Sequence, residues 1–139
     1  PPELPDHAEA GTQNVCGICG LAAGLRFVQQ QTPQRLLAHE VRQRKLLTSL
    51  LTDVPGVQLF TGEPQSGTLS LCAAQMDCET LAARLAVKGV CVRAGLHCAP
   101  LAHESAGTLE TGTVRFSLSA FNTEQEIFRT ADLLKEILA

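Results

Sequence analysis

The sequence predicts an α+β protein: a two-layer sandwich of one sheet with helices packed on one face, preceded by long N-terminal helices. Three observations carry this. Apolar residues recur at helical spacing over the first third of the chain. Short apolar runs bounded by glycine and turn residues alternate with helical stretches over the rest. The resulting order is two helices followed by β-β-α-β-β-α, a mixture that packs as a sheet with helices on one side. The 139 residues suffice for one compact domain with a buried core and an N-terminal appendage. With 45% hydrophobic and 18% charged residues, the composition is globular rather than disordered.

Residues 1–12 are Pro-rich and are expected to run extended, as a connection arriving from another part of a protein. Val15, Ile18, Leu21, Ala22, Leu25 and Val28 then recur at three and four, which predicts a helix over 14–30 with Asn14 as its cap. Gly17, Gly20 and Gly24 weaken that helix and make sense where another group comes close. Thr32 and Pro33 open a second helix, as cap and first helical residue. Its core stripe is Leu36, Leu37, Val41, Leu46, Leu47, Leu50 and Leu51; Arg35, Glu40, Arg42, Arg44 and Lys45 fit a wet face. Strands are predicted at 57–61 and 68–74, then a helix over 78–87 capped by Asp77, a third strand at 89–93, a long loop over 94–112 and a fourth strand at 113–120. Asn122 and Thr123 followed by Glu124 and Glu126 open the last helix, with Ile127, Ala131, Leu134 and Ile137 inward.

Composition excludes several function classes. A net charge of −3 gives no electrostatic footprint for nucleic acid, and no apolar run nears the roughly 20 residues that span a bilayer. The start of the chain has neither a basic region nor an apolar signal core, so a cytoplasmic location is expected. The six cysteines read as reduced thiols: Cys72 and Cys91 lie in apolar strand-like runs and Cys78 opens a helix. Cys16 and Cys19 have redox-motif spacing without the βαβ context of a thioredoxin. Cys91, His97, Cys98 and His103 match no standard zinc spacing, and Cys91 is expected to point into the sheet; no metal site is predicted.

The chemistry concentrates in Arg93-Ala94-Gly95-Leu96-His97-Cys98-Ala99-Pro100. Cys98 sits in a glycine-containing loop beside His97 and Arg93, and nearby positive charge stabilises a thiolate, the nucleophilic form. An unperturbed histidine titrates near neutrality, so His97 suits proton movement as well as it suits loop packing. Arg115 follows Gly112-Thr113 at the start of a strand. On chemistry alone Cys98 reads equally as a packed loop cysteine, and Arg115 as a surface arginine.

Together with Glu9-Ala10-Gly11-Thr12-Gln13-Asn14, these segments resemble the C-terminal part of class V pyridoxal-phosphate enzymes of the cysteine desulfurase and selenocysteine lyase type. The resemblance implies the small C-terminal domain of a fold-type I enzyme at 33–139, with 1–32 as a connecting segment and interface helix from a large domain. It implies that Cys98 takes sulfur from a cofactor-bound substrate as a persulfide while the substrate becomes alanine. It matches Arg115 to the arginine that clamps the substrate carboxylate, which a planar guanidinium suits, and places Arg93 next to the active-site loop. Gly11 and Thr12 match the segment whose threonine reaches the cofactor phosphate of a neighbouring subunit, with Gln13 where proline is usual. The substrate is then L-cysteine or L-selenocysteine, the partners a sulfur-acceptor protein and a second copy of the enzyme, and the cofactor pyridoxal 5′-phosphate. None of Lys45, Lys88 and Lys135 stands in the family's cofactor-lysine motif, so the isolated chain is expected to be inactive. Another class V aminotransferase or lyase, or a stand-alone partner-binding domain, are the competing readings.

Overall fold

The computed structural model describes residues 2–5, 7–8 and 11–139. The chain divides into two compact units, Pro1–Arg35 and Leu36–Ala139. In the first, helix α1 spans Val15–Gln31, and the Asn14 side chain accepts the Gly17 N–H at 3.0 Å. A Cβ at Gly17 would come within 2.5 Å of the Asn14 amide, so this glycine makes room for the cap. No residue of α1 is buried; Val15, Ile18, Leu21 and Leu25 are each more than half exposed.

Helix α2 runs Pro33–Leu51, with Thr32 Oγ1 accepting the Arg35 N–H. The remaining elements are β1 (Val57–Phe60), β2 (Thr68–Ala73), α3 (Cys78–Val87), β3 (Arg93–Gly95), α4 (Pro100–Ala106), β4 (Thr113–Ser117) and α5 (Glu124–Leu138). The sheet is antiparallel throughout, in the order β1-β2-β4-β3. Alternation along the strands separates its faces. Leu69 and Leu71 of β2 and Val114 and Phe116 of β4 are buried in one cluster with Leu47 and Leu51 of α2, Leu81 and Leu85 of α3, and Ile127, Ala131, Leu134 and Leu138 of α5. Asp77 caps α3 by accepting the Thr80 N–H at 2.8 Å, and Thr123 and Glu126 form a reciprocal capping box at the start of α5. The α+β sandwich expected from the element order is thus the observed fold.

Several boundaries differ, each for a local reason. The third strand is Arg93–Gly95, not 89–93. The amides of Lys88, Gly89 and Val90 bond back to Leu85 and Ala86 at the end of α3, with Gly89 at φ 82, so they cannot join the sheet. Val90 and Val92 pack against the core, which turns Cys91 and Arg93 outward. Cys91 is therefore exposed, against the expectation that it points into the sheet. The stretch 94–112 holds α4, started by Pro100 and ended by Gly107 in the left-handed region. The fourth strand stops at Ser117, because Ser119 N–H turns to the Asn122 side chain. Arg44, expected on a wet face, is 3% exposed. The β1–β2 connection covers it: Glu63 reaches its guanidinium at 3.6 Å, and a Cβ at Gly67 would lie 2.7 Å from Glu40 Cβ.

Candidate active site

Strand β4 is central and β3 is the edge, and their register sets Arg93 directly opposite Arg115 and Gly95 opposite Thr113. Both arginines therefore leave the sheet on the face away from the helices. Arg115 Nε donates to Ser117 Oγ at 3.1 Å. Among the described residues the ion pairs are Arg42–Glu124, Arg44–Glu63 and Lys88–Glu136; neither Arg93 nor Arg115 belongs to one. Like charges directly across a strand pair repel. An anion bound between them converts that repulsion into binding, and a carboxylate suits the planar guanidinium.

The chain leaves β3 at Gly95, whose φ is 102, and enters a tight turn closed by Ala99 N–H donating to Leu96 O at 2.9 Å. The two central residues are His97 (φ 53) and Cys98 (φ 59). Positive φ at both centres is the pattern of a type I′ turn, which ordinarily takes Asn and Gly. A residue held in the left-handed region with neither glycine's freedom nor asparagine's tolerance stores about 1–3 kcal/mol of strain. That strain places Cys98 at the tip of the turn, exposed. Pro100 then locks the start of α4 directly behind it.

His97 is fixed from beneath. Its Nε2 shares a hydrogen bond of 3.1 Å with Thr113 Oγ1, and Thr113 is buried. Its ring lies 5.7 Å, centroid to centroid, from that of His103 on α4. His103 is itself buried, with Nδ1 2.8 Å from the buried Thr108 Oγ1. Burial lowers the His97 pKa from its ordinary 6.5, and electrostatic interaction with Arg115, His103 and Arg93 pushes in the same direction. His97 is thus neutral at neutral pH. Its Nδ1 is buried without a hydrogen-bond partner among the described residues.

The structure brings His97, Arg93 and Arg115 together on the β3–β4 pair, with Cys98 next to His97 in the turn after β3. Gly11 and Thr12 belong to the Pro1–Arg35 unit, where both are exposed and Gly11 has φ 100; Glu9 and Ala10 of the same segment lie outside the described residues. Cys16 and Cys19 are free and exposed on α1. Sequence reasoning missed Thr108, Thr113 and the prop supplied by His103. The signal for α4, and hence for His103 on it, was the pairing of Pro100 with Gly107.

Pyridoxal phosphate needs a lysine amine for its aldehyde. Lys88 is held by Glu136 at 2.8 Å, and Lys45 and Lys135 are exposed residues of α2 and α5. The titratable groups that act on His97 are Arg115, His103 and Arg93, with no lysine among them. The described residues do not fit the covalent anchor of that cofactor.

Comparison with known proteins gives the family of the chain. Residues 2–129 match the family model for aminotransferase class-V. The chain belongs to the class-V aminotransferase family. It is 34% identical over 139 residues to a probable cysteine desulfurase of Methanothermobacter thermautotrophicus, covering 97% of this chain and 34% of that protein. It superimposes on the apo structure of a cysteine desulfurase from Thermococcus onnurineus with TM-score 0.83 and 28% identity, covering 96% of this chain and 34% of that one. On the cysteine desulfurase CsdA of Escherichia coli, in an S-sulfonic acid form, the TM-score is 0.80 at 28% identity, with 94% and 33% covered. The chain thus spans about a third of the length of these relatives. Among the described residues no helix is long and apolar enough to cross a membrane, and no three His, Cys, Asp or Glu residues are grouped to hold a metal ion.

Proposed function

We propose that this chain is the C-terminal part of a pyridoxal-phosphate-dependent cysteine desulfurase, with 33–139 as its small domain and 1–32 as connection and interface helix. The observation that carries the reading is Cys98, exposed at the tip of a strained turn beside a strand pair that opposes two arginines without a carboxylate partner. In the whole enzyme pyridoxal phosphate, anchored by a lysine that this chain does not supply, would make the carbon–sulfur bond of the substrate breakable. This chain contributes the rest. Arg115, with Arg93 across from it, holds the substrate carboxylate and so fixes which way the sulfur points. The Cys98 thiolate takes that sulfur: a sulfur–sulfur bond forms, the substrate's carbon–sulfur bond breaks, and the β-carbon gains a proton to give alanine. His97, neutral and adjacent, serves proton movement at the thiol.

Thr12, with Gly11, would hold the cofactor phosphate of a neighbouring subunit, and the exposed apolar stripe of α1 supports a homodimer built through this segment. The substrate is L-cysteine or L-selenocysteine, the sulfur passes to an acceptor protein, and the reaction runs in the cytoplasm, where free thiols such as these stay reduced. The chain alone is inactive on cysteine, because none of its lysines stands where the cofactor is anchored. The test uses the full-length parent enzyme loaded with cofactor. Given L-cysteine, it should release alanine and carry a persulfide at Cys98 by peptide mass spectrometry; the Cys98→Ala enzyme should lose both. A persulfide mapped to another cysteine, with Cys98 unmodified, overturns the assignment.

A further inference from the structure

We infer that Cys72 and Cys78 form a second thiol site, separate from Cys98, which closes to an intramolecular disulfide by exchange with a low-molecular-weight disulfide. Cys72 lies on β2 and Cys78 is the first residue of α3, and the antiparallel bridge between Ala73 and Met76 folds the chain back between them. Their thiols converge on one short segment. Cys72 donates to Gly112 O at 3.3 Å and Cys78 to Thr111 O at 3.2 Å. A Cβ at Gly112 would stand 3.2 Å from Cys78 Sγ and 3.0 Å from Gly95 Cα, so the bare glycine leaves room for the Cys78 sulfur beside this backbone. Both cysteines line a groove of about 580 Å³ on the side of α3, together with Asp77, Thr108 and Glu110. Burial raises the Cys72 thiol, and the neighbouring Cys78 adds to the rise.

The chemistry follows from these positions. The Cys78 thiolate attacks one sulfur of the small disulfide, whose sulfur–sulfur bond breaks; one small thiolate leaves and takes a proton. Burial holds Cys72 back in the first step. It then attacks the Cys78 sulfur of the mixed disulfide, and the second small thiol leaves. The two protein thiols have lost two electrons and two protons, and the small disulfide has been reduced to two thiols. Closure also strips Thr111 and Gly112 of both sulfur donors, immediately before the Thr113 hydroxyl that holds His97.

The experiment treats the chain with oxidised glutathione under mildly alkaline conditions, blocks free thiols with an alkylating agent, and maps the products by peptide mass spectrometry. The expected product is a peptide pair joined through Cys72 and Cys78 with loss of two hydrogens. Cys72→Ser should trap glutathione on Cys78, and Cys78→Ser should leave Cys72 as an alkylatable thiol. The linked pair is sought in the unaltered chain as well as in one carrying serine at Cys16, Cys19, Cys91 and Cys98, so the result does not depend on how the serine set folds. Recovery of both cysteines as separate glutathione adducts, as free thiols, or linked to other cysteines overturns the inference. None of these outcomes depends on desulfurase activity.

Discussion

On one face of the sheet, Leu69, Leu71, Val114 and Phe116 disappear beneath helices; on the other, Ser70, Arg115 and Arg93 stand in a row across β2, β4 and β3. The same strands supply both sets, one residue apart. The buried face is held by many interchangeable apolar contacts, so its members matter by volume. The open face carries single groups that each oppose stability a little: two facing arginines, and two residues in a left-handed turn. A domain organised in this way keeps its folding energy and its chemistry on opposite sides of one β-ladder, and substitutions should divide accordingly.

The largest effect is expected from the buried side. Leu71→Ala empties a position with no exposed surface and should lower unfolding free energy by about 2–5 kcal/mol in urea titration. A value near that of a surface substitution would show that the helices do not pack there as described. Cys98→Gly tests the opposite face with the opposite sign. Glycine releases the left-handed strain but adds freedom to the unfolded chain, for a net gain of up to about 1 kcal/mol, whereas Cys98→Ala should be near zero. Equal stability of the two variants would remove strain from the account of the turn. Arg93→Gln relieves the cross-strand repulsion and should stabilise by about 0.2–1 kcal/mol at low ionic strength. Added salt should shrink that gain, since screening acts on exposed charges. A salt-independent difference would point to packing instead.

The smallest effect is a pH slope. The His97 pKa is lower in the folded protein than its ordinary 6.5, so between the two values the unfolded chain binds the extra proton. Stability from this source is whole above about pH 6.5 and falls as the pH drops toward the folded pKa. His97→Gln should flatten that part of the profile in thermal melts taken across the acid range; an unchanged slope assigns it to other groups.

The parts of the molecule legible in the sequence were those governed by local rules. Asn14, Asp77 and Thr123 announced their helices because a cap is a contact between near neighbours. The apolar stripe of α5 was legible because amphipathic spacing survives any packing. What could not be read were decisions made across the chain. Arg44 is buried because the β1–β2 connection folds over it, and the third strand begins late because α3 claims the amides of Lys88, Gly89 and Val90. For the candidate site, the motif pointed to Cys98 and the arginines, while the positive φ at Cys98 is one a cysteine seldom adopts and so left no local trace.

The late start of β3 has a consequence for solubility. An edge strand offers unpaired amides and carbonyls to any other extended chain, and long, flat, apolar edges recruit one another into aggregates. Here the edge is three residues long, its approach is already spent on the end of α3, and its first residue is an outward arginine. The Arg93 guanidinium serves as a gatekeeper, and the short edge leaves too little bare ladder for a second molecule to add a strand.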